Sequence, residues 1–218
     1  MMKKIKYTSL TTTALFIILF NLSAICQDSY QSSTFNGFGI RISALGDFWK
    51  GEIITDKSTF GGGIDATAMY GIGEVIGIYA GYQNIFPVSL EPSEIGYLIY
   101  TDKVKHQNFT AGLMAHLGST SSKLRYTVLA GIMAAQSTTE ILQDQFDILL
   151  DIKLKGVGLN AGVGLDYFIS PFLSTSLYFN YNSGNYKNSE YLGITYKESL
   201  KWSRPQVALG ISYHFAGR

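Results

Sequence analysis

Apolar and polar positions alternate one for one along most of this chain. The cleanest run is the last. Val207, Leu209, Ile211, Tyr213 and Phe215 fall on one face, and Ala208, Gly210, Ser212 and His214 on the other. A period of two marks a β-strand whose two faces meet different surroundings. Seven earlier stretches carry the same pattern, at residues 37–45, 60–70, 75–85, 107–117, 124–135, 155–167 and 173–181. In the sixth, Val157, Leu159, Ala161, Val163, Leu165 and Tyr167 alternate with Gly156, Gly158, Asn160, Gly162, Gly164 and Asp166. The pattern predicts an all-β, antiparallel, up-and-down fold of about eight strands.

The connections alternate in length. Residues 46–59, 86–106, 136–154 and 182–204 form long ones, and residues 71–74, 118–123 and 168–172 short ones. Short periplasmic turns and long external loops are the pattern of a transmembrane β-barrel. The expected fold is therefore such a barrel, with both termini periplasmic. The tyrosines agree. Tyr70, Tyr126, Tyr167 and Tyr213 share apolar-face parity and fall at the short-turn ends of their strands. A membrane interface favours Tyr there, because the ring is apolar and the hydroxyl stays wet. Unpaired amides are not tolerated in hydrocarbon, so the eighth strand must close onto the first.

The N-terminus has a different texture. A basic head with Lys3, Lys4 and Lys6 precedes an apolar run at residues 14–22, then Ser23, Ala24, Ile25 and Cys26. This is the layout of a cleavable signal peptide, and the apolar run is too short to span a bilayer. Cleavage is expected after Cys26, giving a leader of residues 1–26 and a barrel domain of residues 27–218. A lipoprotein reading would acylate Cys26, but Ile25 is too large for the residue before a lipid-attachment site. Cys26 is the only cysteine, so the mature chain is expected to have no disulfide. That argues against a small stapled secreted domain. The mature part carries 14 basic residues (17 less three in the leader) against 16 acidic ones. Such a balance gives no electrostatic case for nucleic acid.

The terminal strand ends Gly210-x-x-Tyr213-x-Phe215. Placed at the end of an exported chain of alternating strands, this resembles the C-terminal signal of the small outer-membrane β-barrels of Gram-negative bacteria, porin-like and OmpX-like proteins among them. The resemblance covers the whole mature chain. It implies a location in the outer membrane, contact with its lipid and with the barrel-insertion machinery, and a monomer. It also implies a non-enzymatic protein whose external loops meet the environment or partners. Two alternatives stay open: a narrow channel or carrier for small apolar solutes, and a lipid A-modifying barrel enzyme.

Candidate chemistry lies on the inward face. Arg41 with Asp65, and Arg125 with Asp166, occupy neighbouring strands and are expected to pair inside the lumen. An eight-stranded barrel leaves room only for side chains, so these charges satisfy one another more readily than they line a pore. Tyr79, Met114, Met133 and Tyr178 also turn inward, either to fill the lumen or to form an apolar pocket. The glycines of the sixth strand would leave room for them. Lipid-modifying barrels carry a His and a Ser near the external rim. Only His106 lies at that end, and no His-x-Ser motif surrounds it; His116 and His214 lie at the other. No His/Cys cluster offers a metal site, Asp144, Asp147 and Asp151 lack calcium-loop spacing, and no cofactor is expected. By parity, Ala161→Arg should be damaging and the inward Asn160→Ser mild.

Overall fold

The computed structural model describes residues 33–51, 55–89, 94–95, 98–143 and 148–215. The expected leader, Cys26 and residues 27–32 lie outside them. Eight long strands form where the alternation runs: β1 (Gly37–Gly51), β2 (Thr55–Ile72), β3 (Ile76–Ser89), β5 (Leu98–Leu117), β6 (Leu124–Gln143), β7 (Ile148–Ser170), β8 (Leu173–Tyr191) and β9 (Ile194–His214). A two-residue strand, β4 (Glu94–Ile95), adds to the outer part of β5.

Each long strand pairs antiparallel with its neighbours in chain order, β3 pairing directly with β5. β9 returns to β1, from Gly39↔His214 to Gly51↔Trp202. The sheet is therefore a closed barrel without a free edge. One end carries short turns, at residues 73–75, 118–123 and 171–172; we call it the turn end. The other is the hairpin end.

Parity holds all round. Ile132 is 66% exposed and Leu159 67% on the outer face, whereas Arg125 and Arg204 are 0% exposed inside. Tyr70, Tyr167 and Tyr213 face outward near the turn end, and Tyr126 is half-buried with the same parity.

Among the described residues most of the long connections prove to be strand extensions rather than loops. For residues 136–154 a protruding hairpin continuing the two strands is the expectation, and it forms. β6 and β7 stay paired from Leu124↔Tyr167 to Gln143↔Ile148, and β8 and β9 from Leu173↔Tyr213 to Tyr191↔Ile194. The second pair turns through Leu192 (φ 49) and Gly193 (φ 76). Both residues are left-handed, as the tightest hairpin turns require. Backbone pairing continues past the apolar band, but there polar and apolar residues are mixed, as in the start of β7, Ile148-Leu-Leu-Asp-Ile-Lys, and strict alternation no longer marks the strand.

Two apolar clusters fill the lumen. One joins Leu45, Met69, Tyr79, Met114, Leu129 and Tyr178, among others. The other, nearer the hairpin end, joins Met133, Ala135, Leu154, Tyr186 and Trp202. Glycine makes the room. A Cβ on Gly164 would lie 2.5 Å from the Tyr178 ring, and one on Gly158 would lie 2.8 Å from the Trp202 ring. Such alternation of small and large is how a narrow barrel interior packs.

Candidate functional site: the lumen and its mouth

Strand parity sends one side chain in two to the axis, so the lumen is a stack of layers. Midway along it lies a polar girdle. The Tyr79 hydroxyl donates to Asn160 Oδ1 at 2.5 Å, and the Asn160 amide donates to Asn182. Asn182 donates to Gln206 Oε1 at 2.7 Å, and the Gln206 amide to Asp47 Oδ1 at 2.7 Å. Asn160 is therefore a junction, which makes Asn160→Ser costlier than parity alone suggests.

Towards the hairpin end, buried Arg204 organises the next layer. Its guanidinium donates to Asn108 Oδ1 (3.0 Å), His106 Nδ1 (2.8 Å), Ser137 Oγ (3.0 Å) and the Tyr186 hydroxyl (2.6 Å). His106 Nδ1 also lies 2.7 Å from Ser137 Oγ. The sequence reading had no serine for His106. The ladder supplies one, since His106 and Ser137 are directly opposite on β5 and β6. Counting back in step from Leu117↔Tyr126 would have found the pair. Both residues face the lumen and are at most 1% exposed. Arg204, His106, Ser137 and Tyr186 thus form one bonded polar layer buried in the lumen.

Arg41 and Asp65 come together at 3.8 Å, with Thr67 bonded to Asp65 at 2.8 Å. The Arg41 guanidinium also lies over the Tyr178 ring, 3.9 Å from its centroid. The second expected pair does not form. Arg125 and Asp166 are opposite in register, yet the Arg125 guanidinium turns out to Glu74, donating to its carbonyl at 2.7 Å and lying 3.7 Å from its carboxylate. Asp166 is taken instead by the hydroxyls of Thr127, Ser176 and Tyr178, at 2.6, 2.7 and 2.9 Å. Three neutral donors satisfy that carboxylate, and this leaves Arg125 free for the mouth.

The mouth at the turn end is stoppered. Ser33–Asn36, ahead of β1, dock across the opening. The Phe35 ring stacks on the His116 imidazole, centroids 3.4 Å apart, and meets Phe168 and His214 edge-on at 5.3 and 5.0 Å. Arg125 lies 5.1 Å over the same ring. Backbone and side chains strap the segment down. Ser33 N–H donates to the Thr120 carbonyl at 2.8 Å, and Phe35 N–H and the Thr34 hydroxyl donate to the Glu74 carboxylate at 3.1 and 2.9 Å. Arg125 donates to Ser33 Oγ at 3.2 Å. Asn36 bridges to Gly71, where a Cβ would lie 1.8 Å from the Phe35 carbonyl. His116 and His214 are thus parts of a stopper.

No protein-family model and no curated protein sequence matches the chain. Solved structures do. Neisserial surface protein A (NspA) superposes with a TM-score of 0.59 at 14% identity, over 83% of this chain and 98% of that one. Outer membrane protein OprG from Pseudomonas aeruginosa does so with a TM-score of 0.50 at 12% identity, over 85% and 99%. The fold is that of the small outer-membrane β-barrels. At these identities the likeness is one of architecture.

Proposed function

We propose that the protein is a closed, non-enzymatic barrel of the Gram-negative outer membrane that holds its extended hairpins outside the cell to meet the environment or a partner. The observation that carries this reading is the lumen, where packed and hydrogen-bonded side chains fill successive layers from the stopper to Arg204 among the described residues. Packing of this kind argues against a water path or a solute pocket through those layers. What remains for function is its rigid frame and the hairpins it projects. The apolar outer face provides the surface that lipid covers. Closure of β9 on β1 leaves no edge needing a second copy, in keeping with a monomer. Gly210 and Tyr213 at the turn end of β9, with Phe215 just after it, are where the barrel-insertion machinery would read the chain. An apolar-solute carrier would need Tyr79, Met114, Met133 and Tyr178 to line a space, and here they fill it. A lipid-modifying enzyme would need His106 and Ser137 to face lipid, and they face inward.

The reading places the turn end in the periplasm. Protease sites or tags inserted at residues 144–147 should be accessible on intact cells, and the same inserts at residues 119–122 should not. Access to the short turn on intact cells would reverse the orientation and overturn the reading.

A further inference from the structure

The outer wall carries a slot that the closed-barrel reading does not use. It lies where the apolar band ends, across β3, β5, β6 and β7, and has a volume of about 300 Å³. Tyr82 and Phe109 form one wall, their rings 5.0 Å apart. Gln107 fixes that wall by donating to the Tyr82 hydroxyl at 3.0 Å. The floor is nearly bare sheet, because Ala134 is small and the inward pair Ala135↔Gly156 presents only backbone at this point.

The ladder orders the surroundings into rows. Below the slot, Ala111, Ile132 and Leu159 are cross-strand partners, a purely apolar row. At its upper rim, Gln107, Gln136 and Lys155 are partners, flanked by Asn84 and Asn188. One row further out are Lys105, Thr138, Lys153 and Glu190. Three lysines thus crown the slot against one carboxylate, with Asp151 the next outward residue on β7. Lys155 bonds Glu190 at 2.9 Å while staying half exposed. That bond and the nearby charge of Lys153 hold the Glu190 carboxyl below its usual range. Lys105 and Lys153 make no ion pair among the described residues.

We propose that this slot binds one phosphate-bearing lipid of the hairpin-side leaflet, with an acyl chain along Phe109 and Ala134 and its phosphate against Lys105, Lys153 and Lys155. An apolar trough, then amides, then cations matches the order of groups along such a lipid: chain, linkage, headgroup. Lys155 engages the phosphate without leaving Glu190, since an ammonium has three donors. The inference rests on the outer-membrane reading, which supplies the leaflet.

The test uses the full-length protein in neutral detergent micelles, with bis-phosphorylated lipid A as probe and native mass spectrometry as readout. The comparison arms are dephosphorylated lipid A and inorganic phosphate. The phosphorylated lipid should bind at least tenfold more tightly than either. Lys105→Ala, Lys153→Ala and Lys155→Ala combined should lose at least tenfold, and Ala134→Leu, which fills the slot, a similar factor. Lys50→Ala with Lys201→Ala, on the far wall, should change nothing. Equal binding by the triple variant, an equal loss from the far-wall pair, or indifference to the phosphate would each overturn the site. A failed slot leaves the whole-cell accessibility result standing, so it is distinguishable from failure of the outer-membrane reading.

Discussion

Phe35→Ala should unfasten the strap while leaving the barrel folded. Truncating a buried Phe costs about 3–5 kcal/mol in a closed core. The Phe35 ring makes one stacked and two edge contacts, each worth ~0.5–1.5 kcal/mol for aromatic pairs. The mouth is open to solvent once the ring is gone, so water refills the hole and part of the cavity cost disappears. A loss of about 2–4 kcal/mol follows, which at 1.4 kcal/mol per tenfold is roughly 30- to 1000-fold in the strap's opening equilibrium. Hydrogen exchange reads this directly. The Ser33 and Phe35 amides donate to Thr120 and Glu74, so they should be protected in the unmodified protein and should exchange faster by that factor in the variant. The His214 amide, bonded to the Phe172 carbonyl at 2.7 Å, serves as the barrel control. Unprotected strap amides in the unmodified protein, or unchanged exchange in the variant, would refute the stopper.

Arg125→Ala should release the strap in the same assay, because it loses both Ser33 and Glu74, whereas Asp166→Asn should leave the strap protected; the reverse order would restore the Arg125–Asp166 pairing that the sequence suggested. Ala161→Arg, on the lipid face, should destabilise the barrel in bilayers by ~2–4 kcal/mol as read by urea unfolding, and full tolerance would mean the face assignment is wrong. Asn160→Ser should cost about 1–3 kcal/mol, because the Tyr79 hydroxyl and Asn182 both lose their partner inside the lumen; a neutral result would show that the girdle rearranges freely.

The barrel was legible because two unlike media write a period of two into the chain. Ile132 against Met133, or Leu159 against Asn160, already separates outside from inside. The strand ends were not legible for the same reason. Lys153 and Ser189 lie on paired strands beyond the apolar band, where backbone hydrogen bonds persist but polar and apolar residues no longer keep to separate faces. Site residues divide along similar lines. Parity placed Arg41, Tyr79, Met114, Arg125, Met133, Asp166 and Tyr178 inside, yet parity does not choose partners. Arg125 left its register neighbour for Glu74, a residue that read only as part of a turn. Phe35 was hidden because it is a lone aromatic in Ser-Thr-Phe-Asn with no periodicity around it; its partners His116, Phe168 and His214 lie far along the chain and meet only when the barrel closes. The His106–Ser137 pair was recoverable from the hairpin register.

What decides the protein's function is whether the lumen is closed by its own side chains. The most direct measurement is ion conductance of the purified protein in planar bilayers, beside Tyr79→Ala and Arg125→Ala. The unmodified protein should show no steady current, and removing the ring from the girdle or the guanidinium from the mouth should open a measurable one. A steady ohmic conductance from the unmodified protein would contradict the closed lumen and put a channel in its place.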